Sequence, residues 1–378
     1  MSESRINTIE NKPQDPETTP ISKAKHRSLI YWLSWTIFCI TTFLLLFLIA
    51  VYTLVGDRIP YGEYFTIWPS LVWCYGLIPC AILSWNRKAR WRFVVLVSGI
   101  IVFLLLTVEW ASLLRREDKT LRTQFETFRK TPATMPESPI SIRLVTWNIN
   151  SCWSGGKEVF LRALEPLEPD MCFFQETPDG TASIQPEDLI DYWMDWHWID
   201  NGDCGILSRF PLHAVESERI GPWEKPQLVI VELPNGKNII AANVRLMLPA
   251  LIINPLTESN RNLLIETHAA RVAQFPALTA LLRRVMTENN TATAILAGDF
   301  NTHGTSQSLA PLRNLFTDVW SVVGLGWGAT MTSNWPVSRI DQCWITKNIT
   351  PVSARVVSGT PSDHNLLLVD LIIEFNPE

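Results

Sequence analysis

The chain has 378 residues, 47% of them hydrophobic, and a formal net charge of −5, which is too long for one ordinary domain. The charge is uneven: residues 137–378 carry 16 Lys and Arg against 27 Asp and Glu, a balance of −11, while residues 1–136 stand at +6. So acidic a second part weighs against a nonspecific binder of polyanions, and seven cysteines without a CxxC spacing weigh against a thiolate zinc site.

In chain order, residues 1–28 are polar, with Pro13, Pro16 and Pro20, and have the composition of a disordered tail. Three apolar stretches follow, about 29–55, 64–85 and 93–114, each long enough to be read as a transmembrane helix. Pro69 and Pro79 interrupt the second, and Glu109 is the one charge in the third. Tyr31, Trp32, Trp85, Trp91 and Trp110 stand near segment ends, where interfacial aromatics collect. The expectation is a multi-pass integral membrane protein with the lipid bilayer as a partner.

Basic residues set the expected orientation. Lys23, Lys25 and Arg27 precede the first span, and Arg87, Lys88, Arg90 and Arg92 fill the loop between the second and third. The positive-inside rule puts both in the cytoplasm, so three spans leave the rest of the chain extracytoplasmic. Arg115 and Arg116 pull the other way. Residues 115–139 read as a linker. Its Leu121, Phe125 and Phe128, with Leu114, fit one helix face, either lying on the membrane surface or belonging to a solvated spacer.

Residues 140–378 read as an α/β domain. Strands are expected at 140–149, 171–174, 204–209, 227–233, 237–244, 293–297, 340–346 and 366–374, with a hairpin at Asn235-Gly236. Helices are expected at 157–167 and 258–287, the latter kinked or broken at Pro276. Cys172, Cys204 and Cys343 fall in the strands and read as buried thiols.

Polar groups recur where these strands end: Asn148 with Asn150, Glu176, Asp299 with Asn301, Asp341, and Asp363 with His364. Any one reads as a turn or surface residue. Together they hold what metal-assisted phosphate chemistry needs: carboxylates for a hard cation, amides to orient phosphate oxygens, a carboxylate to take a proton from water, and a histidine to balance charge. Walker, GxSxG and HExxH motifs are absent.

The segments TWNIN (146–150), QET (175–177), CGILSRFP (204–211), GDFN (298–301), RIDQCWIT (339–346) and SDHN (362–365) resemble the endonuclease/exonuclease/phosphatase, or deoxyribonuclease-like, superfamily over residues 140 to about 372. That resemblance implies a four-layer α/β sandwich of two packed mixed sheets, here preceded by the three transmembrane helices. It also implies a divalent-metal-dependent hydrolase of phosphate esters using Mg²⁺ or Mn²⁺. By matched position, Glu176 is the main metal ligand, with Asn148, Asn150 and Asp363 at the metal. Asp299 aligns or deprotonates the attacking water, and Asn301 contacts the scissile phosphate. His364 stabilises the transition state, and Asp341 orients it. The family usually has His or Tyr where this chain has Arg245, which can donate to a phosphate but cannot act as an acid; His268 and His303 read as surface histidines rather than replacement proton donors.

The expected activity is that of a membrane-anchored phosphodiesterase or phosphatase acting on a lipid head group, an envelope phosphodiester or nucleic acid. A DNA endonuclease and a catalytically silent phosphate- or protein-binding scaffold are the alternatives. Nothing in the sequence points to a protein partner.

Overall fold

A computed structural model describes residues 20–131, 135, 137–150, 161–177, 195–250, 254 and 256–375. The expected tail lies outside these residues up to position 19, as do the first residues of the helix expected at 157. The chain divides into two compact units, Met1–Phe47 with Cys74–Phe103, and Leu48–Trp73 with Leu104–Glu378.

Among the described residues, helices are labelled in chain order as α1 Pro20–Ala50, α2 Pro60–Thr66, α3 Ser70–Leu83, α4 Arg90–Thr107, α5 Trp110–Leu114, α6 Lys119–Lys130, α7 Glu258–Glu288, α8 Ala310–Arg313 and α9 Val319–Val323. The first unit is built from α1, α3 and α4. Helix α1 starts at Pro20, inside the expected tail, because proline is tolerated in a first helical turn. Arg92 in the first turn of α4 is buried, with its guanidinium 4.3 Å from the ring of Trp35 and 4.8 Å from that of Tyr31. Further along, a Cβ on Gly99 would come within 2.5 Å of Leu45. The heads of α1 and α4 are therefore neighbours, their later turns meet again, and the two helices run in the same direction.

Among the described residues, two helices are long and apolar enough to cross a membrane, Ser28–Arg58 and Arg90–Thr107. The stretch expected as a span at 64–85, interrupted by Pro69 and Pro79, falls on α2 and α3, which are bent by 74°. Pro69 between them explains the break, since a proline disfavours helix at the residue before it. The spans number three only if that pair counts as one. The stretch expected at 93–114 also divides, into α4 and α5.

The second unit carries two six-stranded sheets. Strands β1 Ile140–Asn148, β2 Met171–Gln175, β3 His197–Asp200, β4 Cys204–Ser208, β11 Ile349–Val357 and β12 Leu366–Ile373 form the first, in the order β11-β12-β1-β2-β4-β3. Strands β5 Leu212–Val215, β6 Gln227–Glu232, β7 Asn238–Arg245, β8 Ala294–Asp299, β9 Thr317–Asp318 and β10 Asp341–Ile345 form the second, in the order β5-β6-β7-β8-β10-β9. Each sheet has one parallel pair, β1 with β2 and β7 with β8, among antiparallel neighbours.

Period-two alternation decides what each strand buries. Ile142, Leu144 and Phe173 of the first sheet share one core with Val229, Ala241, Ile295 and Cys343 of the second. The alternate residues point outward. Ile240, Ala242, Leu296 and Trp344 pack on Phe275, Leu278 and Leu282 of α7. Trp147, Cys172 and Phe174 pack with Leu161 and Leu164, from the part of the expected 157–167 helix that is described. The result is helix, sheet, sheet, helix. Cys172, Cys204 and Cys343 are buried free thiols. Helix α7 runs unbroken through Pro276, because the buried side chains on both sides of the proline keep it against the sheet.

The linker is neither a membrane-surface helix nor a spacer. Phe125 of α6 is wholly buried against Val352 and Ile372 of the first sheet, with Leu121 and Phe128 beside it. Arg122 donates to Asp370 at 2.6 Å, and Arg129 donates to Asp170 at 2.5 Å. Leu114, expected on the same face, ends α5 and is exposed. Arg115 is satisfied by protein: it donates to the carbonyls of Trp320, Ser321 and Gly324 at the carboxyl end of α9, a favourable place for a cation.

Candidate active site

Strand direction brings the site together. The carboxyl ends of β1, β2, β7 and β8 lie at one end of the sandwich, and the antiparallel β10 and β12 begin at that same end. In register, Asp299 of β8 has Arg245 of β7 on one side and Asp341 of β10 on the other. Three site residues leave their strands in the left-handed region: Asn150 at φ 48°, Glu176 at 53° and Asn301 at 47°. Asparagine tolerates that conformation better than most residues. Gly298 is required just before Asp299, because a Cβ there would sit 1.9 Å from the carbonyl oxygen of Val244.

Asp299 is almost completely buried and is held by three N–H groups. Its Oδ1 accepts from the Asn301 backbone at 2.9 Å, and its Oδ2 from Asn148 Nδ2 at 3.0 Å and Asn301 Nδ2 at 3.2 Å. Burial and the charge of Asp341 push its carboxyl up to about 6, against the opposing pull of His364. Asn148 Nδ2 also donates to Glu176 Oε1 at 3.2 Å, so one amide joins the two carboxylates. Asn148 Oδ1 accepts from the Asn150 backbone at 2.9 Å.

His364 Nδ1 lies 2.9 Å from Asp341 Oδ2, and both residues are buried. Burial disfavours the imidazolium, but the charge and hydrogen bond of Asp341, with Asp299 and Asp363 adding to them, outweigh it and raise His364 to about 10. The ring is therefore cationic at neutral pH. Among the described residues, Asp341 Oδ1 has no hydrogen-bond partner.

Arg245 does not stand free at the cleft. It pairs with Glu176 at 2.9 Å and donates to Asp203 at 3.3 Å. Asn301 Nδ2 also donates to the Leu246 carbonyl at 2.8 Å, so both its amide hydrogens are engaged and a phosphate contact there must displace one. Asp363 is exposed, its side chain accepting from the Ser362 hydroxyl at 3.4 Å and its backbone carbonyl from the Ser333 N–H at 2.5 Å. The sequence-predicted residues Asn148, Asn150, Glu176, Arg245, Asp299, Asn301, Asp341 and His364 thus meet in one connected network, with Asp363 at its rim. His268 is a correction, since it is buried rather than on the surface, while His303 is half-buried. His268 is buried on Glu63 at 3.0 Å. His303 is depressed to about 4 by burial and by Arg339, and so is neutral and poorly suited to donate a proton near pH 7.

Three contributors escaped the sequence reading. Asp203 precedes a strand rather than following one, so the strand-end pattern passes over it. Arg271, buried in α7, donates to the Asn301 carbonyl at 2.9 Å and to Thr302 at 2.5 Å; its signal is an arginine on the apolar face of a helix. Ser362 donates to the Asn148 carbonyl at 2.7 Å and accepts from the His364 backbone at 3.0 Å, fastening the last loop to β1. Beneath them, Gln175 donates to Asn243 Oδ1 at 2.7 Å, while Asn243 donates to the carbonyls of Phe174 and Gly205 at 2.7 and 2.8 Å. That network crosses from one sheet to the other.

Solved structures of similar fold include an endonuclease/exonuclease/phosphatase family protein from Bacteroides thetaiotaomicron, 16% identical, which covers 63% of this chain and 100% of that one at a TM-score of 0.48. A mannosyl-6-phosphatase from the same organism is 16% identical, over 61% and 99% of the two chains, at 0.46. The catalytic domain of human nocturnin with bound sulfate is 17% identical, over 63% and 95%, at 0.45. No curated protein matches. Residues 145–364, more than half the chain, match the model of the Endonuclease/Exonuclease/phosphatase family, and the chain belongs to that family of phosphate-ester hydrolases.

Proposed function

We propose that the protein is a membrane-anchored, divalent-metal-dependent hydrolase of phosphate esters, with phosphodiesters the best-fitting class. The carrying observation is the cationic His364 and the caged Asp299 side by side, with groups driven to about 10 and about 6. In this reading Asp299 aligns the attacking water and takes its proton near neutrality. His364 offers a charged N–H to the phosphoryl oxygens as negative charge builds. Asp341 fixes the ring so that its other nitrogen faces substrate. Asn148 and Asn301 act first as positioning residues for Asp299.

Members of the family are typically divalent-metal dependent. The donors fit a hard cation: the Glu176 carboxylate, 22% exposed, and the Asn148 amide offer oxygen, with Asn150 and Asp363 as further donors. Mg²⁺ is an ion that keeps several waters and takes one or two carboxylates, which this donor set can supply. Such an ion, when bound, supplies charge neutralisation at the phosphoryl oxygens.

Helix direction supports the membrane reading. Helices α1 and α4 run the same way, so the chain must return between them, which supports three crossings; with the basic 87–92 loop in the cytoplasm by the positive-inside rule, the catalytic domain is extracytoplasmic.

The test is hydrolysis of bis(p-nitrophenyl) phosphate by the purified full-length protein with Mg²⁺ or Mn²⁺. Turnover that needs metal and is lost in His364→Ala is expected. Absence of turnover on this ester, on phosphomonoesters and on nucleic acid would overturn the proposal, and nicking of plasmid DNA in preference to the small ester would move it to the nuclease alternative.

A further inference from the structure

The second unit contains a cavity of about 380 Å³ beside the site, within the range of about 300–1,000 Å³ typical of small-molecule pockets. Its walls come from two separate parts of the sequence. Ile67, Trp68, Leu71 and Val108 belong to the segments flanking the apolar helices, and Trp327 and Val337 belong to the catalytic domain. Asn301 lines both this cavity and the site, and Ile340, next to Asp341, lies on the shared wall.

Charged residues in the lining are turned to one another. Glu63 pairs with His268 and Arg271, Glu109 with Arg339, and Asp57 accepts from the backbone of Gln307 at 2.8 Å and of Ser308 at 3.2 Å. What remains is mainly apolar, with one exception. Arg271, 4% exposed, has an Nη1 without a hydrogen-bond partner among the described residues. Its Nη2 binds the Asn301 carbonyl at 2.9 Å, which ties this wall of the cavity to the backbone beside Asp299.

We infer that this cavity holds the hydrocarbon part of the substrate, which is a lipid-like phosphate ester: its phosphate lies in the catalytic site that Asn301 shares with the cavity, and its chain lies among the aromatic and aliphatic walls. The inference rests on the proposed hydrolase reading and names its substrate class. An ester delivered from the bilayer would meet walls built by the membrane-flanking segments themselves, whereas a nucleic acid would present further phosphates to an acidic domain.

The test uses full-length protein in phosphatidylcholine nanodiscs, with hexylphosphonate and methylphosphonate as binding probes and the matching p-nitrophenyl alkyl phosphodiesters as substrates. Hexylphosphonate should bind at least about tenfold more tightly than methylphosphonate. Val337→Trp, which fills the space, and Leu248→Asp, which charges the exposed rim, should each remove most of that preference. Equal affinities would overturn the inference, as would a preference that survives both substitutions, which would signal partition into the bilayer. Hydrolysis of both esters without chain-length preference would defeat the cavity inference alone. Chain-dependent binding without hydrolysis of either ester would defeat the hydrolase reading alone.

Discussion

Arg245 Nη2 lies 2.9 Å from Glu176 Oε1, so a guanidinium neutralises the carboxylate expected to hold a metal. Cation and arginine therefore compete. Arg245→Gln should tighten Mg²⁺ binding by up to about fivefold, because a partly exposed ion pair is worth at most about 1 kcal/mol. Calorimetric titration of Mg²⁺ reads this directly, and weaker binding would mean that Arg245 helps to assemble the site.

His364→Ala should lower turnover by about 10² to 10⁴ while leaving substrate affinity nearly unchanged. Asp341→Asn should resemble it, and the double variant should be little worse than either, as expected of residues that act as a unit. Losses that multiply would separate the two roles.

The two shifted groups set the pH profile. Activity should rise through about pH 6 as Asp299 loses its proton and fall above about pH 10 as His364 loses its own. Since the Asp341 charge is what raises His364 against burial, Asp341→Asn should move the alkaline limb downward. An unmoved limb would assign it to another group.

Docking of α6 makes the linker part of the fold. Phe125→Ala should cost about 3–5 kcal/mol of stability, the usual penalty for emptying a buried aromatic site. Chemical denaturation of the full chain measures it, and a loss well under 1 kcal/mol would return the helix to the role of a spacer.

For topology, protease added to spheroplasts should cleave the catalytic unit without lysis. Protection until lysis would put that unit in the cytoplasm, as would follow if the bent α2–α3 pair re-enters rather than crosses.

The central strands were legible in the sequence because they alternate or run apolar between turn residues, and the site was legible because its polar groups follow them. Strand β11 was missed: Pro351 argues against an interior strand, yet the register shift between Pro351 and Ser353 absorbs it. Strands β3 and β5 are short and partly exposed, so they carry little pattern. The α6 face was found but its destination was not, since an apolar stripe does not say what it packs on. Asp203 and Arg271 were invisible for a related reason: each acts through a partner far away in sequence.

The Gln175–Asn243 bridge has a mechanical consequence. Asn148, Glu176 and His364 come from the first sheet, while Asp299, Asn301, Asp341 and Arg245 come from the second. Every working pair that joins these groups spans the seam between two slabs, so its geometry depends on how far the slabs have slid as well as on local side chains. The buried amides act as a dowel against that sliding. Damage deep in the sandwich should accordingly show first as mistuned chemistry, in a protein whose secondary structure still looks intact.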